Sequence, residues 1–176
     1  MPLKADNWHG QGAKISVRYL MESEVWVHAL RDRYELMVPG ETTSLAVIRW
    51  VVSRLATAAG LEETDVGRIE FAVDEACSNV LDHAYKSRNP RPPIHLCIQP
   101  SSQSFTVDVI DEGATFDVAG YVEPKFPDHW LEGNARGAGW YLIRRCMDEV
   151  HYEQLPNTRN RLRMVKHRPK VAPAEV

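Results

Sequence analysis

Residues 69 to 85, Ile69-Glu70-Phe71-Ala72-Val73-Asp74-Glu75-Ala76-Cys77-Ser78-Asn79-Val80-Leu81-Asp82-His83-Ala84-Tyr85, set the pattern around which the rest of the chain must arrange itself. Ile69, Ala72, Val73, Ala76, Val80 and Ala84 recur at three- and four-residue steps, which predicts a helix with one apolar stripe. Beside that stripe runs a polar row, Glu75, Asn79 and His83, each four residues from the next. On a helix this spacing puts the three side chains on neighbouring turns of one face, with adjacent Cβ atoms ~6 Å apart. Such a row is plain solvated surface unless the chain brings something to it. Its chemistry suits more: a carboxylate takes up a proton, and an amide oxygen ligates a hard cation such as Mg²⁺, which keeps company with phosphates. Glu75 and Asn79 together suit a nucleoside triphosphate, provided the chain also holds the nucleotide.

The flanking segments alternate between the two periods. Residues 1 to about 13 are polar and carry glycine. Ile15, Val17 and Tyr19 alternate as a strand does, and Glu22 to Arg33 reads as a helix with Val25, Trp26, Ala29 and Leu30 on one side. Tyr34, Leu36 and Val38 form a strand that ends at Pro39-Gly40. Thr42 to Ala59 is a helix on Leu45, Ile48, Val52, Leu55 and Ala59, stopped by Gly60. Thr64 or Asp65 offers a cap for the central helix, which must end before the stiff breaker Asn89-Pro90-Arg91-Pro92-Pro93. Ile94, Leu96 and Ile98, then Phe105, Val107 and Val109, form a hairpin about the turn Pro100-Ser101-Ser102-Gln103. Val150 to Leu155 and Leu162 to His167 form another around Pro156-Asn157, and Pro169 to Val176 is a tail.

Two further stretches carry chemistry. The second strand of the first hairpin runs into Asp111-Glu112-Gly113. Asp-x-Gly is common in turns, but a strand-end carboxylate only accepts hydrogen bonds. It suits the exocyclic amine of adenine, with Gly113 letting the backbone approach the base. Asp117 to Asn134 has no clear period and carries Gly120, Pro124, Pro127 and Gly133, so it reads as a long loop, and a lid over a ligand is its functional reading. Arg136-Gly137-Ala138-Gly139 follows, and Trp140, Ile143, Met147 and Val150 then step helically. Glycines before a helix turn backbone N–H groups toward an anion, which the helix N-terminus also favours. No third glycine completes a dinucleotide fingerprint and no Gly-Lys-Ser/Thr makes a P-loop.

Composition narrows the classes. The chain has 176 residues, enough for one domain with a real core, at 44% apolar and 26% charged. A net charge of -3 and a pI of about 6.2 argue against nucleic-acid binding by bulk electrostatics. Cys77, Cys97 and Cys146 are scattered, with no CxxC pair, and read as buried thiols of a reducing compartment. No apolar run reaches a membrane span and no apolar signal core opens the chain, so the expected location is the cytoplasm, with no membrane contact. His28, His95, His129, His151 and His167 show no ligand spacing, and Trp8, Trp26, Trp50 and Trp130 read as packing residues.

The order of these pieces resembles the histidine-kinase-like (GHKL) ATPase superfamily and, within it, the anti-sigma-factor serine kinases. Asp74 to Asn79 with His83-Ala84-Tyr85 is similar to their asparagine box. Val109 to Gly113 with Phe116-Asp117 is similar to the first glycine box, and Arg136 to Ile143 with Met147-Asp148-Glu149-Val150 to the second. The likeness runs from about Tyr34 to His167. It implies an α+β fold, a two-layer α/β sandwich whose mostly antiparallel sheet is covered on one face by helices. The domain would span 34–168, with 1–33 an N-terminal extension and 169–176 a tail.

The resemblance also implies roles. ATP and Mg²⁺ would be the cofactors, with Asn79 holding the metal, Asp111 reading adenine, and Gly137, Ala138 and Gly139 contacting phosphates. His83, Gly113, Phe116 and Arg136 belong to the same nucleotide site. Glu75 would be the general base toward a serine hydroxyl or a water. Partners would be a sigma factor, which the protein sequesters, and a STAS-domain anti-anti-sigma protein, which it phosphorylates; relatives suggest a homodimer, and no direct nucleic-acid partner is implied. The charge of -3 is compatible with docking to basic segments of a sigma factor. Two departures bear on the transfer rate more than on nucleotide binding. Trp140 stands where relatives have a smaller aliphatic residue, and Arg159-Asn160-Arg161 stands where they often place a small hydroxyl. A kinase-inactive, nucleotide-dependent binding module of the same fold is the alternative. The catalytic domain of a two-component histidine kinase is disfavoured, because none of the seven histidines sits in a phospho-acceptor hairpin.

Overall fold

Period-two and period-four segments sort into one sheet and one layer of helices. The structure, a computed structural model, describes residues 13–18, 24–30, 33–118, 120–123 and 138–168. Three strands come first: β1 (Ala13–Arg18), β2 (Glu24–Leu30) and β3 (Arg33–Val38). Helices α1 (Ser44–Ala58) and α2 (Glu63–Asn79) follow, then β4 (Ile94–Pro100) and β5 (Ser104–Asp111). Helix α3 (Ala138–Cys146) leads into the hairpin β6 (Glu149–Leu155) and β7 (Arg159–His167). The strands pair antiparallel throughout, in the order β1-β2-β3-β4-β5-β7-β6.

The pleat puts alternate residues on alternate faces, so register decides what is buried. Leu36, Leu96, Val109 and Leu162 stand opposite one another across four strands, and Tyr34, Ile98, Val107 and Met164 form the next row. These rows meet Ile48 and Val52 of α1, Ile69, Val73 and Ala76 of α2, and Ile143 of α3 in one core. Residues of opposite parity form a polar row, Glu35, Cys97, Asp108 and Arg163. There Arg163 grips Asp108 with Nε and Nη2, each at 2.7 Å.

The helix expected over Glu22 to Arg33 is strand β2 instead. Val25, Trp26, Ala29 and Leu30 share one face only on a helix and divide between the two faces of a strand, but β2 pairs with β3 on one side and β1 on the other, and those ladders satisfy its backbone groups. The cap expected at Thr64 or Asp65 is also displaced. Glu62 is the N-cap, with no side-chain cap bond, and both residues lie inside the first turn. The Asp65 carboxylate is instead engaged by Arg68 at 3.0 Å and Lys166 at 3.6 Å. Gly60 does stop α1, at φ +79°, a left-handed conformation that glycine adopts without strain. Arg49 then ties the two helices together through Asp74, at 2.8 Å. Beyond Asn79 the helix widens into a π-turn over Val80–Ala84, closed by Tyr85 N–H donating to Val80 O at 2.8 Å.

Candidate nucleotide site

The polar row on α2 is set by the burial of its neighbours. Ala72, Val73, Ala76 and Cys77 face the core, which leaves Glu75 and Asn79 half-buried at the side of the helix. Asn79 Nδ2 donates to Glu75 Oε1 at 3.4 Å, so the Asn79 amide oxygen is the atom left for another partner. The first turn of α3 packs against this pair. A Cβ placed on Gly139 would fall on Glu75 Oε1 and lie 2.9 Å from Asn79 Nδ2, so with glycine here the α3 backbone comes this close without displacing either side chain.

Asp111 ends β5 with its side chain 6% exposed. Its Oδ1 accepts from Asn160 Nδ2 at 3.0 Å and from the Gly113 N–H at 2.7 Å. Oδ2 makes no hydrogen bond among the described residues. Burial pushes the Asp111 pKa up, and it stays up against the lowering pull of those two hydrogen bonds. Asn160 is itself 1% exposed. Its Nδ2 also donates to Gly113 O at 3.2 Å, and its Oδ1 accepts from Thr115 Oγ1 at 3.4 Å.

The turn after Asp111 is clamped to the end of the π-turn. Tyr85, fully buried, donates its hydroxyl to Pro93 O at 3.0 Å and accepts from the Glu112 N–H at 3.3 Å. Burial pushes its phenol up to about 12. Ala114 N–H donates to Ala84 O at 3.0 Å, and a Cβ on Gly113 would lie 2.5 Å from Ala84 Cβ. The close approach at Gly113 is thus to Ala84.

These elements enclose a cleft of about 440 Å³. Asn79, His83, Asp111, Thr115 and the Gly139 backbone supply its polar lining; Val80, Ala84, Val109, Ile143 and Leu162 supply the apolar part. Phe116, Tyr121, Trp140 and Tyr152 add an aromatic wall. Of the residues singled out from sequence, Asn79, His83, Asp111, Phe116 and Gly139 therefore meet in one cleft. Glu75 stands one helical turn from Asn79, bonded to it but outside the lining. Gly113 is turned to Ala84, and Ala138 is buried at 8% exposure. Arg136, Gly137 and most of the expected lid lie outside the described residues.

Sequence reasoning missed Asn160 as part of the site. Its signal was parity: in β7 it shares a face with Leu162 and Met164, and an amide on the core-facing side needs polar partners. Thr115 and Tyr152 carried no periodic signal. Among the described residues no group of three or more His, Cys, Asp or Glu could hold a metal, and no helix is long and apolar enough to cross a membrane.

Residues 38–166 match the model of the histidine kinase-like ATPase domain. The serine-protein kinase RsbW of Bacillus subtilis is 31% identical over 127 residues, covering 69% of this chain and 78% of the relative. The serine-protein kinase RsbW of Bacillus licheniformis is 29% identical over 126 residues, with the same coverages of 69% and 78%. That of Staphylococcus epidermidis is 28% identical over 131 residues, covering 70% and 80%. In fold, the chain is similar to the crystal structure of the RsbU and RsbW domains of a Mycobacterium tuberculosis protein, with a TM-score of 0.52 at 13% identity over 77% of this chain and 33% of that one.

Proposed function

The chain belongs to the histidine kinase-like ATPase family, and we propose that it is a partner-switching regulator whose cleft holds Mg-ATP for transfer to a serine of a STAS-domain anti-anti-sigma protein. Its relatives make it a serine-protein kinase. The observation that carries the reading of the cleft is Asp111. Asp111 is largely buried and lines the cleft, its Oδ1 is engaged by Asn160 and Gly113, and its Oδ2 makes no hydrogen bond among the described residues and is not sealed from the cleft, so it is an acceptor open to a ligand's donor. The exocyclic amine of adenine is such a donor.

The donor set fits the metal as well. The Asn79 amide oxygen suits Mg²⁺, which prefers oxygen ligands and is held by few protein groups when phosphates supply the rest. Bound there, the ion would neutralise charge developing on the phosphates. Glu75 would accept the proton of an incoming serine hydroxyl, with its bond from Asn79 orienting the carboxylate. The α3 N-terminus at Ala138 and Gly139 would face the phosphates, with Arg136 and Gly137 contributing from the preceding segment. His83 and Phe116 would line the nucleoside side. Gly113 would act indirectly, by holding the turn that carries Asp111 against Ala84. Sequestration of a sigma factor, a homodimeric state and a cytoplasmic location complete the proposal, as the family resemblance implies.

Calorimetric titration of Mg-ATP into the wild type, Asp111→Asn and Asn79→Ala tests the site. The wild type binds, the first variant loses recognition of adenine, and the second loses the magnesium dependence. Transfer of labelled phosphate from ATP to a cognate STAS protein then tests the reaction. A wild type that binds no nucleotide at millimolar ATP sinks the reading.

A further inference from the structure

We propose that Trp140, with Phe116 and Tyr152 packed against it, forms the wall on which the base of the bound nucleotide stacks, and that it selects a purine over a smaller pyrimidine or a bare polyphosphate. The inference rests on the nucleotide reading above and adds a specificity determinant to it.

Trp140 directly follows Gly139, so the backbone that packs against Glu75 and Asn79 also delivers the indole into the cleft. Its ring centroid lies 5.3 Å from that of Phe116, tilted by 41°, and 6.5 Å from that of Tyr152, nearly edge-on at 86°. Phe116 and Tyr152 are 6.1 Å apart, and Tyr121 closes the group at 6.2 Å from Phe116 and 6.4 Å from Trp140. These are attractive aromatic geometries, so the four rings hold one another in place. One hydrogen bond fixes the wall further: the Phe116 N–H donates to the Tyr152 hydroxyl at 2.8 Å.

The group is not core filling. None of the four rings belongs to the buried core, and Phe116 is 41% exposed. Packing residues of this size are normally covered, whereas these rings line an open cleft that the Asp111 carboxylate also lines. An acceptor for a base edge and π-faces for a base plane thus share one space. Stacking on such a face grows with the area of the base, so a purine gains more than a pyrimidine and tripolyphosphate gains nothing.

The test is calorimetric titration of ATP, CTP and tripolyphosphate, each with Mg²⁺, into the wild type, Trp140→Leu, Trp140→Phe and Tyr152→Leu, with circular dichroism to verify folding. The wild type should bind ATP more tightly than CTP and CTP more tightly than tripolyphosphate. Trp140→Leu should lose roughly ten-fold in ATP affinity while tripolyphosphate binding stays within about two-fold, and Trp140→Phe should recover most of the loss. Tyr152→Leu should show the same selective loss in weaker form, and it carries the comparison if Trp140→Leu does not fold. ATP affinity equal to wild type in folded leucine variants overturns the proposal, as does an equal loss for ATP and tripolyphosphate, which makes the wall structural. In both cases the nucleotide reading stands. A wild type that binds none of the three overturns the nucleotide reading and this inference with it.

Discussion

Asn160 Nδ2 donates to Asp111 Oδ1 at 3.0 Å, a buried bond between residues 49 apart in sequence, and it decides which oxygen of Asp111 is left open. Replacing Asn160 with alanine removes that donor and the bond to Gly113 O, leaving a buried carboxylate with only the Gly113 N–H. The expected cost is about 1–3 kcal/mol in stability, read from urea unfolding. With the carboxylate free to turn, ATP affinity should fall by roughly ten-fold, read by calorimetry. Asn160→Asp should be worse than Asn160→Ala at neutral pH, because it sets a second carboxylate against the first.

The raised pKa of Asp111 gives stability and binding opposite responses to pH. Burial favours the neutral acid in the folded state, so the stabilising contribution is fully present below the unfolded-state pKa and is lost as pH rises through the raised folded value. Adenine recognition needs the ionised acceptor and grows over the same window. Wild-type melting temperature should therefore drop across the interval just above the ordinary carboxylate range while ATP affinity climbs. Asp111→Asn should flatten both profiles there. Thermal unfolding and ATP titration over one pH series check this, and profiles that move in parallel would sink the assignment.

Much of the fold was legible because burial and period agree. The strand rows through Leu36, Leu96, Val109 and Leu162 follow from simple alternation, and the α2 stripe follows from three- and four-residue steps. Strand β2 was not legible, because Val25, Trp26, Ala29 and Leu30 follow helical spacing and the partner strands that override it, β1 and β3, are not visible in that local pattern. The row Glu75, Asn79, His83 was legible from one helix, as was the carboxylate at Asp111. The hold on Asp111 was not. It comes from Asn160, on a strand formed 49 residues later, and only the β5–β7 register, which puts Asp111 opposite Asn160, brings the two together.

Gly113→Ala is expected to weaken the fold and the site at once. The added Cβ would lie 2.5 Å from Ala84 Cβ and 2.6 Å from Ala84 O, and the latter is backbone that cannot swing aside. Overpacking of this kind costs about 1–3 kcal/mol. It should also break the Ala114 N–H to Ala84 O bond that holds the turn after Asp111. Thermal unfolding should show a lower melting temperature, and amide exchange at Ala114 should lose protection. Normal stability with normal exchange would mean that the turn has room to spare.

Gly139→Ala separates stability from catalysis. The new Cβ falls on Glu75 Oε1, the end of a flexible side chain, which can swing away at little cost. Gly139 is the second residue of α3, so the interior helix preference of alanine over glycine applies there only in part. The variant should thus be about as stable as the wild type. Its Glu75 carboxylate, however, is displaced from the position in which Asn79 holds it. General-base catalysis contributes roughly 10²–10⁴-fold, so phosphate transfer to the STAS partner should fall by about that range, while ATP binding falls far less because Asp111 is untouched. Glu75→Ala should reduce transfer similarly, and adding Gly139→Ala to it should cost little more, since the group being displaced is already gone. Additive losses in the double variant would instead place the role of Gly139 at the phosphates, independent of Glu75.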